Sequence, residues 1–498
     1  MKIKSFYLNS QKEIIVKIVK EVLMLFKIEI VGEQTDGFDY MALSVENNVF
    51  IDKDIRLDTK ISLQGKNAEW KSFTWSDTAL LTEREGAAIH RLIKLNLYRL
   101  FRKHFSFKAA PWGILYGVRP TKIVHRYINE KMHRDAIVDR LKYDYEVSDE
   151  KAELITKLAF KQRPFLATSH NKMVSVYIGI PFCLSRCLYC SFPAYVLPKE
   201  DVLLQFLLVL KKDLLAAEFA MEKHGLIVQN IYIGGGTPTS LPEKYFDELL
   251  DLVYNTFYGT SVVEFTVEAG RPDSITAGKI ASMVVHKVSR VSANPQTMQA
   301  RTLQRIGRNH TPEAVVEMFH TLRDAGIPHI NMDLIIGLPG ENEADITDTM
   351  KKVTALKPDD ITLHALALKK GSRLKLHLDA VELPNDQMAQ SMFAIALQYV
   401  KDTGLEPYYL YRQGYMSGQL ENIGCSVPGA EGMYNIQIME ENQTIIGIGG
   451  AATTKVVHPV TKRLQTSFNA KDLTTYLNSV DKYIERRSNL IDEAYSVL

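Results

Sequence analysis

The chain has 498 residues, of which 46% are hydrophobic and 24% are charged, and its formal net charge is +2. This composition is ordinary for a globular protein and excludes a disordered or collagen-like chain. The near-neutral charge argues against a dedicated nucleic-acid binder, which usually carries a strong basic excess. An apolar run of about 18 residues is missing, so we expect no membrane span.

Cysteine usage gives the clearest signal in the composition. Residues 1–14 lack the apolar core of a signal peptide, so we expect a cytoplasmic protein. Disulfides are not expected in that reducing compartment. Three of the four cysteines, Cys183, Cys187 and Cys190, fall within eight residues, and Cys425 stands alone. This crowding points to ligand chemistry rather than to a disulfide framework.

Residues 1–168 are predicted to form a separate N-terminal α/β accessory domain. Alternating apolar and polar residues over 40–52 predict a hairpin with Asn47 and Asn48 as its turn. An apolar stripe over 82–104 predicts an amphipathic helix. Its basic residues are typical of the solvated side of such a helix, and a nucleic-acid face is the alternative.

From about residue 172 the pattern changes to alternating apolar strands and amphipathic helices. Strands are predicted at 174–180, 231–233, 263–267, 287–292, 329–336 and 360–365. Six βα units in series predict an α/β fold with a parallel sheet and outer helices. Six units fall short of a closed eight-stranded barrel, so we expect a partial barrel, with an open doubly wound sheet as the competing architecture. Ligands should gather at the carboxyl ends of the strands in either case.

The remaining chain contains a long helix over 385–401 and a Gly-rich strand region. We therefore divide the chain into the accessory domain, a core at 169–375 and a C-terminal α+β extension at 376–498 that covers the substrate.

The three clustered cysteines form a C-x3-C-x2-C motif directly after the first core strand. Thiolates are soft ligands that suit iron–sulfur clusters, zinc or copper(I). Three of them can hold three corners of a cubane whose fourth iron stays open to a small molecule. A closed zinc site needs a fourth protein ligand, for which Cys425 is a distant candidate. Its alternative role is that of a packed thiol, and inert burial is the alternative for all three clustered cysteines.

This spacing after a strand resembles the signature of the radical S-adenosylmethionine (SAM) enzymes. The wider pattern Tyr177-x3-Pro-Phe-Cys-x3-Cys-x-Tyr-Cys190, with Gly234-Gly-Gly-Thr-Pro-Thr239, resembles the HemN-like branch of oxygen-independent coproporphyrinogen III oxidases. Within it the chain is most similar to the dehydrogenase subfamily called HemZ, through residues 111–122, 290–298 and 432–439. The resemblance implies the radical-SAM form of the partial (β/α)6 TIM-like barrel.

The resemblance also implies cofactors and a site. Cys183, Cys187 and Cys190 would bind a 4Fe–4S cluster, and SAM would bind at the open iron. The residues in register with SAM contacts of the family are Tyr177, Tyr189, Gly235, Gly236, Thr237, Glu268, Gln296, Arg308, Asp333 and Ala367.

The side-chain chemistry of several of these residues also indicates a role without reference to the family. Glycines after a strand let backbone amides approach a ligand, although a turn needs them equally well. The carboxylate of Glu268 can accept hydrogen bonds from ribose hydroxyls. Arg308 offers a planar fork for a carboxylate, and a surface charge is its alternative. Asp333 lies within an apolar strand, where a charge must be paired or belong to a site. Tyr177 is a candidate SAM contact or a core aromatic.

The reaction that the resemblance implies is the oxidative decarboxylation of coproporphyrinogen III. An external donor such as flavodoxin or ferredoxin supplies an electron that cleaves SAM, and the resulting radical takes a hydrogen from a propionate, whose carboxyl group leaves as carbon dioxide. Two rounds give vinyl groups and protoporphyrinogen IX. Arg308, Arg271 and Arg290 are candidate propionate contacts, with salt bridging as the alternative for the last two. We expect a monomer that binds no nucleic acid.

One departure from the family pattern concerns Gly179, which stands where the family often has a histidine. Two other functions stay open. A haem chaperone of the same branch would keep the cluster and SAM without decarboxylation, although no histidine precedes Pro181-Phe-Cys183 as in haem-binding motifs. A structural zinc protein would use no SAM at all.

Overall fold

The structure is a computed structural model that describes residues 1–9, 13–32, 36–80, 84–115, 117–167, 171–367, 372–376, 382–413 and 417–497. The chain divides into two compact units, Met1–Lys157 and Leu158–Leu498. Among the helices of the described ranges, none combines the length and the apolar character that a membrane crossing requires. The three-part division at residues 168 and 375 stays a prediction.

The first unit is a mixed sheet with helices. Its described elements are β1 (Lys2–Leu8), α1 (Glu13–Leu25), β2 (Glu29–Ile30), β3 (Tyr40–Ile51), β4 (Asp54–Gln64), β5 (Trp70–Leu80), α2 (Glu85–Phe105), α3 (Thr121–Asn129), α4 (Arg134–Tyr145) and α5 (Asp149–Ala167), the last of which continues into the second unit. The strand order is β2-β1-β3-β4-β5, with β1 parallel to both of its neighbours and the other pairs antiparallel. The apolar stripe predicted for the long helix is buried on α2.

The hairpin turn predicted at Asn47 and Asn48 is wrong. Both residues lie inside β3, opposite Thr59 and Asp58 of β4. The Thr59 hydroxyl donates a 2.8 Å hydrogen bond to Asn47 Oδ1. The chain turns instead just after β3, where the amide of Asp52 donates a hydrogen bond to the Asp54 carbonyl at the start of β4. An asparagine pair favours a turn locally, but here the pairing of β3 with β4 continues through both residues, and a cross-strand hydrogen bond engages Asn47 Oδ1.

The second unit is built on a long central sheet. Its described elements are β6 (Met173–Ile180), β7 (Phe182–Cys183), β8 (Tyr195–Val196), α6 (Glu200–Lys223), β9 (Ile227–Gly235), α7 (Glu243–Phe257), β10 (Glu264–Glu268), α8 (Ala277–Val285), β11 (Arg290–Ser292), α9 (Ala300–Arg305), α10 (Pro312–Asp324), β12 (His329–Ile336), α11 (Glu343–Ala355), β13 (Asp360–Ala365), α12 (Arg373–Leu376), α13 (Asp386–Asp402), β14 (Glu406–Tyr411), β15 (Asn422–Ser426), α14 (Met433–Glu440), β16 (Thr444–Gly449), β17 (Thr453–Val457), β18 (Leu464–Phe468) and α15 (Leu473–Tyr495).

The core strands β6, β9, β10, β11, β12 and β13 are parallel neighbours in strict chain order. They coincide with the six strands predicted from the sequence, which confirms the α/β series. A doubly wound sheet would reverse its strand order at a switch point. The unbroken order therefore excludes that alternative and gives the partial (β/α)6 barrel.

Local signals explain where the outer helices begin. The side chains of Thr276, Thr311, Asn342, Asn385 and Asp472 each accept a hydrogen bond from a backbone amide in the first turn of the helix that follows. Side-chain oxygens at this position satisfy amides that have no partner within the helix. Three barrel helices, α8, α10 and α11, thus begin at capping side chains, as do α13 and α15 of the C-terminal part.

Strands from the C-terminal part extend the core sheet at both edges. β16 pairs parallel with β6, and β15 pairs antiparallel with β13. Every residue of β16 is buried, as is typical of a strand covered on both faces. Residues on either side of position 375 therefore share one continuous sheet within the second unit.

A buried ion pair attaches the last helix to the barrel. Asp213 of α6 and Arg487 of α15 lie 2.6 Å apart with side chains 0% and 1% exposed. The second oxygen of Asp213 accepts hydrogen bonds from the Tyr476 hydroxyl at 2.8 Å and the Gly449 amide at 2.9 Å. Because a buried charge is stable only with partners, this carboxylate joins α6, α15 and the end of β16.

We predict that Arg487→Ala lowers the free energy of unfolding by about 3–5 kcal/mol, because it leaves the Asp213 carboxylate buried without its counter-charge. Denaturant unfolding followed by circular dichroism measures the loss. The matched control is Lys212→Ala, which breaks the exposed pair with Asp481 between the same two helices. That change should cost no more than about 1 kcal/mol. Equal losses in the two variants would contradict the prediction.

Candidate active site

A cavity of about 690 Å³ lies where the parallel strands end. Because parallel strands finish at the same edge of the sheet, side chains distant in sequence meet there. The predicted site residues that line it are Cys183, Cys187, Tyr189, Cys190, Gly236, Thr237, Glu268, Gln296, Arg308, Asp333 and Ala367. The structure thus brings most of the predicted set together around one cavity.

The three clustered cysteines lie on and after β7, on one side of this cavity, and their thiols form no disulfide. The Thr237 hydroxyl lies 3.4 Å from Cys183 Sγ and donates a hydrogen bond to it. Burial raises the pKa of the Cys183 thiol, and this hydrogen bond opposes the effect. Burial also raises the pKa of Cys190. These thiols therefore need a cationic partner, such as iron, to become thiolates.

The number of thiols on the loop bears on which metal group they fit. Within the described residues, no three His, Cys, Asp or Glu side chains converge on one metal-ion position. A structural zinc site holds four ligands at about 2.0–2.3 Å from a single ion. A cubane instead spreads its thiolates over separate irons. Three thiols on one loop beside an open cavity fit the cluster and do not fit a closed zinc site.

Cys425 is a packed thiol. It lies in β15, paired with Ile361 of β13 and Pro407 of β14. Its side chain is fully buried, and burial raises its pKa. It does not line the cavity, so it cannot serve as the fourth ligand of the cysteine loop.

The glycine loop after β9 differs from the expected amide cradle. The amide of Gly235 donates to Glu268 at 3.2 Å. The amides of Gly236 and Thr237 donate to carbonyls of the segment around β7 at 2.8 and 2.7 Å. A side chain at Gly236 would collide with the Phe182 carbonyl. The glycines are therefore needed to let the cysteine segment approach, and the described amides bond within the chain.

Glu268 ends β10 with its carboxylate at the cavity. The Tyr232 hydroxyl donates to Oε1 at 2.7 Å, and the Gly235 amide donates to Oε2. Burial raises the pKa of Glu268 to about 7, and the charge of Asp333 also raises it. The hydrogen bonds from Tyr232 and from the Gly235 amide oppose this rise. This carboxyl group therefore titrates near neutral pH.

Asp333 of β12 has the opposite behaviour. Its Oδ1 accepts a 2.7 Å hydrogen bond from the Asn331 amide group, and its Oδ2 lies 3.7 Å from His364 Nε2. Burial would raise the pKa of Asp333, but the interaction with His364 and the Asn331 hydrogen bond bring it below its ordinary value. The Tyr411 hydroxyl lies 3.3 Å from His364 Nδ1 on the other side.

His364 and Tyr411 also line the cavity, and the sequence interpretation missed both. His364 could have been found from its place near the carboxyl end of the sixth core strand, where ligands gather. Tyr411 carried no such signal, because β14 is not one of the core strands. Lys471, Gln413 and Asn422 reach the cavity from the same C-terminal region.

Gln296 has a side-chain acceptor that the chain leaves unused. Its backbone has a positive φ of 66° and bonds to β12 through Asp333 and Ile335. Its Oε1 is buried without a hydrogen-bond partner among the described residues. An unpaired buried acceptor is costly, so a donor on a bound ligand would stabilise it. The residue fits its predicted role as a SAM contact.

The arginines near the cavity are largely engaged by the chain. Arg308 donates to the carbonyls of Asn294 and Gly270, although its Nε is buried without a partner in the described residues. Arg271 lines the cavity but bonds to both oxygens of Asp273. Arg290 is outside the cavity.

Arg290 instead belongs to a buried network at the other end of the strands. It lies 3.2 Å from Asp360 and 3.5 Å from Glu264, and it donates to the Ala430 carbonyl. The salt-bridge alternative therefore describes both Arg271 and Arg290.

Tyr177 and Gly235 are the two predicted SAM contacts that do not line the cavity. The ring of Tyr177 stacks on Tyr232 at 5.9 Å, so its contact with SAM stays a prediction. The neighbouring departure at Gly179 has a physical reason. A Cβ there would lie 2.8 Å from the Gly450 carbonyl, so the chain beside β6 leaves no room for a side chain.

Comparison with known proteins gives a consistent picture. Residues 177–353 match the Radical SAM superfamily. The chain is 37% identical over 420 residues to the oxygen-independent coproporphyrinogen-III oxidase-like protein HemZ of Bacillus subtilis (strain 168), which covers 83% of this chain and 84% of that protein. It is 29% identical over 283 residues to the heme chaperone HemW of the same organism, covering 56% and 70%.

Among solved structures, coproporphyrinogen III oxidase (HemN) from Escherichia coli, described as a radical SAM enzyme, has a TM-score of 0.52. It is 20% identical and covers 68% of this chain and 82% of its own, a likeness of fold. Members of the superfamily bind a 4Fe–4S cluster and SAM, which the cysteine loop and the cavity fit. The chain belongs to the radical SAM superfamily, in the HemN-like branch that includes the coproporphyrinogen-III oxidase-like protein HemZ.

Proposed function

We propose that the protein is an oxygen-independent coproporphyrinogen III dehydrogenase of porphyrin and haem biosynthesis. It would convert two propionates of coproporphyrinogen III to vinyl groups and yield protoporphyrinogen IX. The single observation that carries the proposal is the cavity at the strand ends, where three thiols and the polar side chains of successive strands meet. The 37% identity to a coproporphyrinogen-III oxidase-like protein supports the choice of substrate.

Cys183, Cys187 and Cys190 would hold the cluster, and residues of the strand ends would hold SAM. When bound, the two groups supply a one-electron reductive cleavage that produces a hydrogen-abstracting radical. The chain itself orients the reactants and keeps water from them. Its buried cavity walls also strengthen each electrostatic contact, because the local dielectric is lower than that of water.

Individual side chains have distinct tasks in this proposal. Glu268 is held by two donors and offers its remaining lone pairs to hydroxyl groups of SAM. Gln296 offers its unpaired Oε1 to a donor on the nucleoside. Asp333 stays ionised beside His364 and accepts further hydrogen bonds. These groups would fix the orientation of SAM relative to the thiols.

The substrate is an anion with several propionates, and it would enter past the C-terminal residues of the cavity. Lys471 is exposed and lines the cavity, and His364 faces it from β13. Lys471 can offer positive charge to a carboxylate, whereas Arg271 is already paired with Asp273. We therefore assign substrate covering to residues 376–498, within which Lys471 lies.

The wider setting follows from the same chemistry. Reduced cysteine ligands belong in a reducing compartment, so we propose that the protein acts in the cytoplasm. An external donor such as flavodoxin or ferredoxin would deliver the electron, and the protein would act as a monomer. The alternative function is that of a haem chaperone without decarboxylase activity, which the 29% identity to HemW favours.

The ligand assignment predicts the iron content of variants. Anaerobically reconstituted protein should hold about four irons per chain, as a cubane requires. Cys187→Ala should lose most of this iron and the visible absorption of the cluster, because one of three thiolates is missing. Cys425→Ala is the matched control, since it removes a buried thiol outside the cavity, and it should keep the iron. Retention of the full cluster by Cys187→Ala would reject the assignment.

The reaction itself is tested by anaerobic turnover. Incubation with coproporphyrinogen III, SAM and a low-potential reductant should release carbon dioxide and methionine and form protoporphyrinogen IX. Cys187→Ala should release none of these products above the background without protein. If the reconstituted protein instead binds haem and forms no porphyrinogen product, the dehydrogenase is rejected and the chaperone takes its place.

A further inference from the structure

Three tyrosine rings from different elements stack beside the cavity. Tyr232 of β9 and Tyr434 of α14 have ring centroids 4.4 Å apart and planes inclined by 25°. Tyr177 of β6 lies 5.9 Å from Tyr232 and 6.4 Å from Tyr434. Aromatic rings at such distances attract each other. The Tyr232 ring therefore packs against both of the other rings.

Of the three rings, Tyr232 is the one whose hydroxyl reaches the site. It donates the 2.7 Å hydrogen bond to Glu268 Oε1. In the described residues the structure shows no hydrogen bond from the hydroxyl of Tyr434 or Tyr177. Tyr232 and Tyr434 thus differ in one contact, the hydrogen bond that the Tyr232 hydroxyl donates to Glu268.

Gly234, two residues after Tyr232 on β9, leaves the room that this contact needs. A Cβ at Gly234 would lie 2.7 Å from Cε1 of Tyr232 and 2.8 Å from Oε1 of Glu268. A side chain at that position would therefore push apart the two groups that the hydrogen bond joins. This gives Gly234 a role separate from any backbone approach to a ligand.

We infer that Tyr232 is a positioning residue of the SAM site, whose hydroxyl fixes the Glu268 carboxylate so that its remaining lone pairs face the cavity. The inference rests on the proposed assignment of Glu268 to SAM. The tyrosine stack holds the donor in place, and Gly234 leaves the room that the hydrogen bond needs. Tyr232 itself does not line the cavity.

The hydrogen bond has a consequence for pH dependence. The groups that face Glu268 are the Tyr232 hydroxyl and Gly235 amide of β9, the Asp333 carboxylate of β12, and the rings of Tyr177 and Tyr434. Burial places the pKa of Glu268 at about 7, and the Tyr232 hydrogen bond lowers it. Loss of that hydroxyl raises the pKa of Glu268 further, because the ionised form loses a donor.

Hydroxyl groups of SAM bond more strongly to a carboxylate than to a neutral carboxyl group. The affinity for SAM should therefore fall as the pH falls through the pKa of Glu268. In Tyr232→Phe the same fall should occur about one pH unit higher, and near pH 7 the affinity should be about fivefold weaker, because the ionised fraction of Glu268 falls from about one half to about one tenth.

The experiment measures the dissociation constant of SAM by equilibrium dialysis with anaerobically reconstituted protein across the neutral pH range. The matched control is Tyr434→Phe, which removes a hydroxyl from the same stack and should keep the wild-type pH profile. Iron content and the cluster's electron paramagnetic resonance signal should be unchanged in both variants. Loss of the cluster in Tyr232→Phe would assign the residue a structural role and overturn the inference.

A third variant, Glu268→Gln, separates the inference from the proposed function. If Glu268→Gln weakens SAM binding and Tyr232→Phe has the wild-type pH profile, the inference is overturned while the site assignment stands. If Glu268→Gln binds SAM as the wild type does, the assignment of Glu268 is wrong and the inference falls with it. A shift in Tyr232→Phe alone, absent from Tyr434→Phe, supports the positioning role.

Discussion

The site depends on how closely backbone segments approach one another at the carboxyl ends of β6, β9 and β16. A side chain at Gly236 would collide with the Phe182 carbonyl, and one at Gly449 would collide with the carbonyl of Gly179. These contacts let the cysteine segment lie directly against the glycine loop and let β16 complete the sheet beside β6. The close approach therefore brings the thiols to the same cavity as the strand ends.

Within this frame, two carboxylates acquire different protonation behaviour from their surroundings. Burial and a neighbouring charge raise the pKa of Glu268 to about 7. A histidine and an amide bring the pKa of Asp333 below its ordinary value despite its burial. Divergent environments of this kind often mark acid and base roles. Here they fit a division of labour in binding, since Asp333 is charged throughout the neutral range and Glu268 becomes charged within it.

The sequence was informative where the decisive signal was local. The six core strands are confirmed because apolar runs can be recognised in short windows, and the spacing of Cys183, Cys187 and Cys190 is a local signal of the same kind. The predicted turn at Asn47 is wrong because the conformation of this residue depends on its pairing with β4. The pairing of β16 with β6 joins residues far apart in the chain, so no window contains it. The hydrogen bond from the Gly236 amide could not be predicted either, since its acceptor, the Ile180 carbonyl, lies on another segment.

The continuity of the sheet bears on how one branch can contain both dehydrogenases and chaperones. The cysteine loop and the strand-end residues would serve SAM and a cluster in either function, so they cannot distinguish the two. Groups that face the cavity from outside the core strands, such as Tyr411 and Lys471, are not needed to bind SAM or the cluster in this proposal. Tyr411 ends β14, which joins the core sheet through β15, and Lys471 lies just before α15. We propose that the choice of substrate lies in this C-terminal region, whose side chains can change without disturbing the strands that would carry the cofactor.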